Sequence, residues 1–253
     1  MSRPVEADVV VVVPVYRNAP TLEELARRTL AALAPTGLTH RLLFVVDASP
    51  DDAWDLVCRM AGEEPRIQGL LLPTNQGQHR ALLTGIAHSR ARWIAVMDAD
   101  LQDPPELLPA LVEASAGSGM TAFARREGRY QAAGRMLTSR VFKSLLGLFL
   151  RMPADVGTYF VVPGKVADRM RRAPVRHPQV VVMARSFSPG WCGVPFTRRA
   201  REVGESAYSS RARWRAALRS LRCAWECRCA RRVGEDAWTG ADAPAPFRQT
   251  TRS

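Results

Sequence analysis

The sequence predicts an α/β fold with a mixed, mainly parallel sheet flanked by helices. Residues 9–15 form a nearly unbroken β-branched run, the pattern of a strand covered on both faces. Short apolar runs then alternate with stretches of helical spacing as far as Met97, which implies βαβ units. The last of these runs delivers two carboxylates one residue apart, Asp98 and Asp100. Open α/β sheets bind ligands beyond the carboxyl ends of their strands.

The elements follow in order. Residues 9–15 are the first strand. Leu22, Leu25, Leu30 and Leu33 recur at helical spacing, so 20–34 is the first helix. Residues 41–46 and 67–72 are the next strands, separated by a helix over 53–61. A third helix over 77–89 leads to the fourth strand, 93–97. Right-handed crossovers place these strand ends on one edge. Pro104 and Pro105 start a helix, because proline is tolerated in a first helical turn. The second half is less regular. Strands are expected at 121–124, 158–162 and 191–196, and a long apolar helix at 132–150. After Tyr208 the chain becomes Arg-rich and helical to about Arg232. The last twenty residues carry Gly234, Gly240, Pro244 and Pro246 and read as disordered. The units are thus 1–209, a basic helix over 210–232 and a tail over 233–253.

The chain has 253 residues, which permits one large α/β domain or two small ones. Its 36 basic residues include only two lysines, Lys143 and Lys165, an arginine bias that suggests a GC-rich bacterial genome. The net charge of +12 favours nucleic acid, anionic lipid or phosphorylated substrates without choosing among them. Five cysteines, an odd count with no signal peptide, argue for a reducing cytosol. No run of about 18 uncharged apolar residues offers a spanning helix. Cys223, Cys227 and Cys229 lack the paired ligands that structural zinc requires.

Chemistry concentrates at three strand ends. The first carries Pro14, Val15 and Tyr16; the second carries Asp47; the fourth carries Asp98, Asp100 and, beyond them, Gln102. Two carboxylates in a turn can grip one hard cation, with substrate phosphates and water completing the shell. The same pair can also be an acidic turn that caps a helix. An aromatic ring and a carboxylate, Tyr16 and Asp47, suit a nucleobase, although Asp47 can equally be a turn residue.

Six ordered segments then point to a family. They are V-V-V-P-V-Y (11–16), F-V-V-D-A-S-P-D (44–51), N-Q-G-Q-H-R-A-L-L-T-G (75–85), V-M-D-A-D-L-Q-D-P-P-E-L (96–107), D-V-G-T-Y (155–159) and R-E-V-G-E-S-A-Y-S (201–209). Together they resemble family 2 glycosyltransferases, in the branch that makes polyprenyl-phosphate sugars. The resemblance implies the GT-A fold, with 1–209 as the catalytic domain and an inverting, metal-dependent transfer from a UDP- or GDP-sugar to a polyprenyl phosphate. It gives Pro14, Tyr16, Asp47 and Gln78 to the donor. It gives Asp98, Asp100 and Gln102 to Mg²⁺ or Mn²⁺, with Asp98, Asp100 and Asp155 catalytic. Arg201, Ser206 and Tyr208 would close over phosphates, and Arg125 and Arg126 would hold the acceptor phosphate. His79 lies in the third segment, as a donor contact or a packing residue. The family usually has two acids at 46–47, where this chain has Val46 and Asp47. It usually has arginine at 160, where this chain has Phe160.

A phosphate monoester is largely ionised at neutral pH, its second pKa being about 6, so it needs positioning more than a base. Between Val156 and Arg201 the sole acid is Asp168, which fits that acceptor, while Asp155 or Asp103 remain available as a base for a hydroxyl. The alternatives are a soluble GT-A enzyme acting on a hydroxyl of a small metabolite or peptide, and a non-catalytic nucleotide- or nucleic-acid-binding protein. No nucleic-acid motif supports the last. Over 211–232 there are eight arginines and one glutamate, with Trp214, Leu218, Leu221, Trp225 and Cys229 at helical spacing. That stripe either packs on the domain or lies on an anionic membrane surface. The chain is therefore expected in the cytoplasm, peripheral on the inner face of the membrane. The oligomeric state is not indicated.

Overall fold

The computed structural model describes residues 7–126, 156–196 and 210–234, with backbone alone for 210–217. Seven strands form one sheet: β1 (Ala7–Val15), β2 (His40–Asp47), β3 (Ile67–Leu72), β4 (Ala91–Val96), β5 (Thr121–Arg126), β6 (Val156–Pro163) and β7 (Trp191–Phe196). Their order is β3-β2-β1-β4-β6-β5-β7. Only β6 runs antiparallel to its neighbours among these pairings. The expected mixed, mainly parallel sheet is therefore the one observed.

Helices cover both faces. On one side α1 (Ala19–Leu33), α2 (Ala53–Glu63) and α4 (Leu108–Ser118) share one core cluster with Val9, Val11, Val13 and Val15. On the other side lie α3 (Gln78–His88), α5 (Gly164–Arg172), α6 (Val180–Phe187) and α7 (Ser210–Val233), which share one core cluster with Val10 and Val12, α3 meeting β1 and α7 packing on α6. Both sets of β1 valines are buried, which is why the strand is apolar throughout. Gly85 brings α3 close to the sheet: a Cβ there would meet Val45 Cγ2 at 2.8 Å and Val12 Cγ1 nearer still.

Most differences from the expected elements are shifts of one to three residues at the ends. The helix expected from Pro104 starts as a 3₁₀ turn, Pro105–Leu107, and becomes α-helical at Leu108. No element is expected where α6 stands; the helix buries Val180, Val182 and Met183 against the sheet side of the core. The long helix expected at 132–150 and the tail beyond Gly234 lie outside the described residues.

Two uses are open for the stripe Leu218, Leu221, Trp225 and Cys229, and packing of α7 on the domain is not carried by it. Cys223, Ala224, Cys227 and Ala230 carry it, and Leu218 and Trp225 stand 60% and 63% exposed. Small side chains let the helix approach α6 closely, a fit that the larger residues would prevent. Trp214 lies where side chains are not described.

Candidate active site

The sheet order reverses between β1 and β4, and a crevice opens there. Pairing of β1 with β4 ends at Val12 and Val96, whereas pairing with β2 continues to Val15 and Val46. Pro14 lies beyond the last β4 pair, opposite Val45 alone, where a missing N–H costs little. Such a switch point is where open α/β sheets bind ligands.

Backbone strain marks the same edge. Among the described residues three non-glycine positions have positive φ: Arg17 (59°), Ala48 (48°) and Leu101 (58°). They follow β1, β2 and β4 respectively. Strain of this kind persists only where the surroundings over-determine it, and it clusters at functional sites.

Hydrogen bonds supply that determination. The Arg17 N–H donates to Ser49 Oγ at 2.7 Å, and the Ser49 hydroxyl donates to Asp51 Oδ1 at 2.5 Å. Asp51 Oδ2 also accepts the Ala19 N–H at 3.2 Å, so the loops after β1 and β2 are latched together. Asp47, the last residue of β2, is buried. Its two oxygens accept the N–H groups of Gln76 (2.7 Å) and Gly77 (2.8 Å). It thereby fixes the loop into α3, where Gly77 has φ +84°.

That loop presents Gln78, whose Nε2 donates to Asp98 Oδ1 at 2.6 Å. From the opposite side the Thr158 hydroxyl of β6 donates to Asp98 Oδ2 at 2.8 Å. The turn itself is clamped. Thr21 donates to the Ala99 carbonyl at 2.6 Å, and the Tyr159 hydroxyl donates to the Pro104 carbonyl at 2.9 Å. Arg28 pairs with both oxygens of Glu106, at 2.8 and 2.6 Å. The Gln102 N–H donates to Asp100 Oδ1 at 3.1 Å, closing an Asx turn around Leu101. Asp100 Oδ2 has no hydrogen-bond partner among the described residues.

The remaining expected residues can be placed. Tyr16 is 43% exposed at the crevice end of β1, with the Arg17 guanidinium 5.5 Å from its ring centre. Arg125 and Arg126 do not follow β5 but end it. Arg125 lies along Gly193 of β7, and Arg126 along Gly157 of β6, with Nη2 2.9 Å from where a Cβ would stand. Asp103, considered as a base, is 1% exposed and thus withdrawn from an acceptor. His79 sits in the first turn of α3, its Nδ1 buried without a hydrogen-bond partner among the described residues. Burial, and then the charge of Arg219 on α7, hold its pKa below the ordinary value. Asp155, Arg201, Ser206 and Tyr208 lie outside the described residues.

Thr158 lies in the D-V-G-T-Y segment, but its contact with Asp98 had no sequence signal. Thr21, Ser49 and Asp51 likewise bond across distances in sequence that no local pattern reports.

The donor set suits a hard cation: two carboxylates, one of them with an oxygen left over, and the amide oxygen of the buried Gln102. No group of three or more His, Cys, Asp or Glu able to hold a metal forms among the described residues, the cysteines of α7 included.

Comparisons with known proteins agree with this architecture. The family model of glycosyl transferase family 2 matches residues 10–173, and the chain belongs to that family. Undecaprenyl-phosphate 4-deoxy-4-formamido-L-arabinose transferase of Sodalis glossinidius is 32% identical over 214 residues, 83% of this chain and 65% of that protein. The protein of the same name from Enterobacter sp. (strain 638) is 33% identical over 206 residues, 79% of this chain and 62% of that one. The chain thus spans a little under two thirds of these curated relatives. Glucosyl-3-phosphoglycerate synthase of Mycobacterium tuberculosis, crystallised with Mn²⁺ and UDP, superposes with a TM-score of 0.61 at 16% identity, over 86% of this chain and 80% of that one. Mannosyl-3-phosphoglycerate synthase of Rubrobacter xylanophilus gives 0.63 at 15%, over 96% and 79%. These structures share the GT-A fold.

Proposed function

We propose that the chain is an inverting, divalent-metal-dependent glycosyltransferase that moves a sugar from a UDP- or GDP-sugar to a polyprenyl phosphate. It would work at the cytoplasmic face of the membrane, attached peripherally. No helix among the described residues is long and apolar enough to cross a membrane. The observation that carries the reading is the clamped Asp98–Asp100 turn at the switch point of the sheet. The name of the curated relatives, undecaprenyl-phosphate transferases, supports the acceptor class.

Asp98, Asp100 and Gln102 would hold Mg²⁺ or Mn²⁺. When bound, the ion supplies Lewis-acid neutralisation of charge on the departing nucleoside diphosphate. The exposed Tyr16 ring packs on the base. Asp47 fixes the 76–77 loop and accepts a base N–H through its remaining lone pairs. Gln78 and Thr158 keep Asp98 oriented, one on each oxygen. Arg125 and Arg126, at the end of β5, take the acceptor phosphate, a task that suits the planar guanidinium fork. Arg201, Ser206 and Tyr208 close over the donor phosphates, and Asp155 orients the acceptor side.

The test is nucleoside diphosphate release from a panel of UDP- and GDP-sugars with Mn²⁺ or Mg²⁺, with and without a short-chain polyprenyl phosphate. Release that depends on the lipid phosphate supports the reading and names the donor. Donor turnover onto a hydroxyl metabolite, indifferent to lipid phosphate, would replace it with the soluble alternative.

A further inference from the structure

The helix α7 has two apolar stripes on opposite sides. Cys223, Ala224, Cys227 and Ala230 point inward. Half a turn around the helix stand Leu218, Trp225 and Val233, 60%, 63% and 66% exposed. Three of the four large apolar side chains exposed among the described residues are therefore on one helix face. Helical spacing sets Arg222, Arg228 and Arg232, all exposed, beside that face. The one acid of the described helix, Glu226, lies beside that face but is paired: it accepts from the His177 N–H at 3.1 Å and pairs with His177 Nδ1 at 3.0 Å. A groove of about 430 Å³ between this face and the 174–177 segment adds Arg176 to the positive rim.

We infer that the outward face of α7 docks the protein on an anionic lipid bilayer. Apolar side chains at the centre and arginines at the rim match the acyl boundary and the anionic headgroups of such a surface. Tryptophan, apolar with one polar edge, is suited to that boundary. A second copy of the chain fits less well. Three such side chains cover on the order of 400 Å², about half of what each partner gives to a standard interface. The face is also tied to the site. Arg219 of α7 acts electrostatically on His79, next to the Gln78 that holds Asp98. The inference rests on the lipid-acceptor reading for its purpose but not for its test.

The test is co-sedimentation of the full chain with vesicles of phosphatidylcholine alone and of phosphatidylcholine mixed with phosphatidylglycerol. Binding is expected only to the anionic vesicles, and raised salt should weaken it. Trp225→Glu should lower the partition coefficient roughly tenfold or more, through lost apolar burial. Arg222→Glu combined with Arg228→Glu should lower it by a similar factor of about ten, through lost headgroup attraction. Thermal unfolding should not change, because these side chains stand in solvent. Transfer to a short-chain, water-dispersed acceptor should survive in Trp225→Glu. Equal binding to both vesicle types, or binding indifferent to Trp225→Glu, would overturn the inference. So would a concentration-dependent dimer that Trp225→Glu dissolves, since the face would then belong to a second copy. Vesicle binding without lipid-phosphate-dependent turnover would leave the docking face standing and remove the acceptor reading.

Discussion

On the β1, β2 and β4 side of the strand-end edge, three non-glycine residues hold positive φ and hydrogen bonds latch one loop to the next. On the β5, β6 and β7 side no described non-glycine residue does so, and two arginines lie along bare glycine backbone. The difference follows the work proposed for each side. Carboxylates that grip an ion must be in place beforehand, and reorganisation during the reaction would add to the barrier. Arginines that meet a flexible phosphate need reach more than rigidity. One described side-chain bond to the Asp98 carboxylate joins the halves, from Thr158 of β6.

The largest effect is expected on the rigid side. Asp100→Asn replaces the carboxylate whose Oδ2 is left for an ion, while its Oδ1 can still accept the Gln102 N–H. Turnover should fall by more than the roughly 10–100-fold typical of losing an outer partner of a metal ligand. Metal-dependent donor binding, read by calorimetry, should weaken with it. Normal turnover would remove Asp100 from the site.

Thr158→Val asks whether the halves work as one. The change keeps a β-branched side chain of similar shape in β6 and deletes only the donor to Asp98 Oδ2. Gln78 still holds Oδ1, so the loss should be roughly 10–100-fold in turnover or metal affinity, less than for Asp100→Asn. A metal titration beside a melting curve separates this from unfolding. Unchanged kinetics would mean that the rigid side stands alone.

The comparison also explains what the sequence revealed. The parallel half was legible because its signals are local: the valine run of β1, the leucine spacing of α1 and the acid pair at the end of β4 each lie within one window. Pairing partners of the second half are remote, so the reversal of β6 and the helix α6 were not legible. The residues expected at the site came from the order of the motifs. Their bonds did not, because Thr21 to Ala99, Ser49 to Arg17 and Thr158 to Asp98 join segments 32 to 78 residues apart. The inward face of α7 was not legible for a physical reason. The larger apolar residues left packing and membrane contact both open, whereas close approach to α6 selected Cys223, Ala224 and Cys227.

The smallest expected effect lies where α3 meets α7. Burial first, and then the charge of Arg219, keep the pKa of His79 below its ordinary value of 6.5. The unfolded chain therefore binds a proton at a pH where the folded one does not. Stability linked to His79 is present above about pH 6.5 and is lost as pH falls through that value toward the lower folded pKa. His79→Gln removes the titrating group, so the fall in melting temperature between about pH 7 and pH 5 should become shallower than in the parent chain. Arg219→Gln removes one of the two causes and leaves burial in place, so its profile should lie between the two. A His79→Gln profile that overlays the parent would mean that the first turn of α3 senses no proton. The rigidity of the Gln78–Asp98 contact would then be independent of α7.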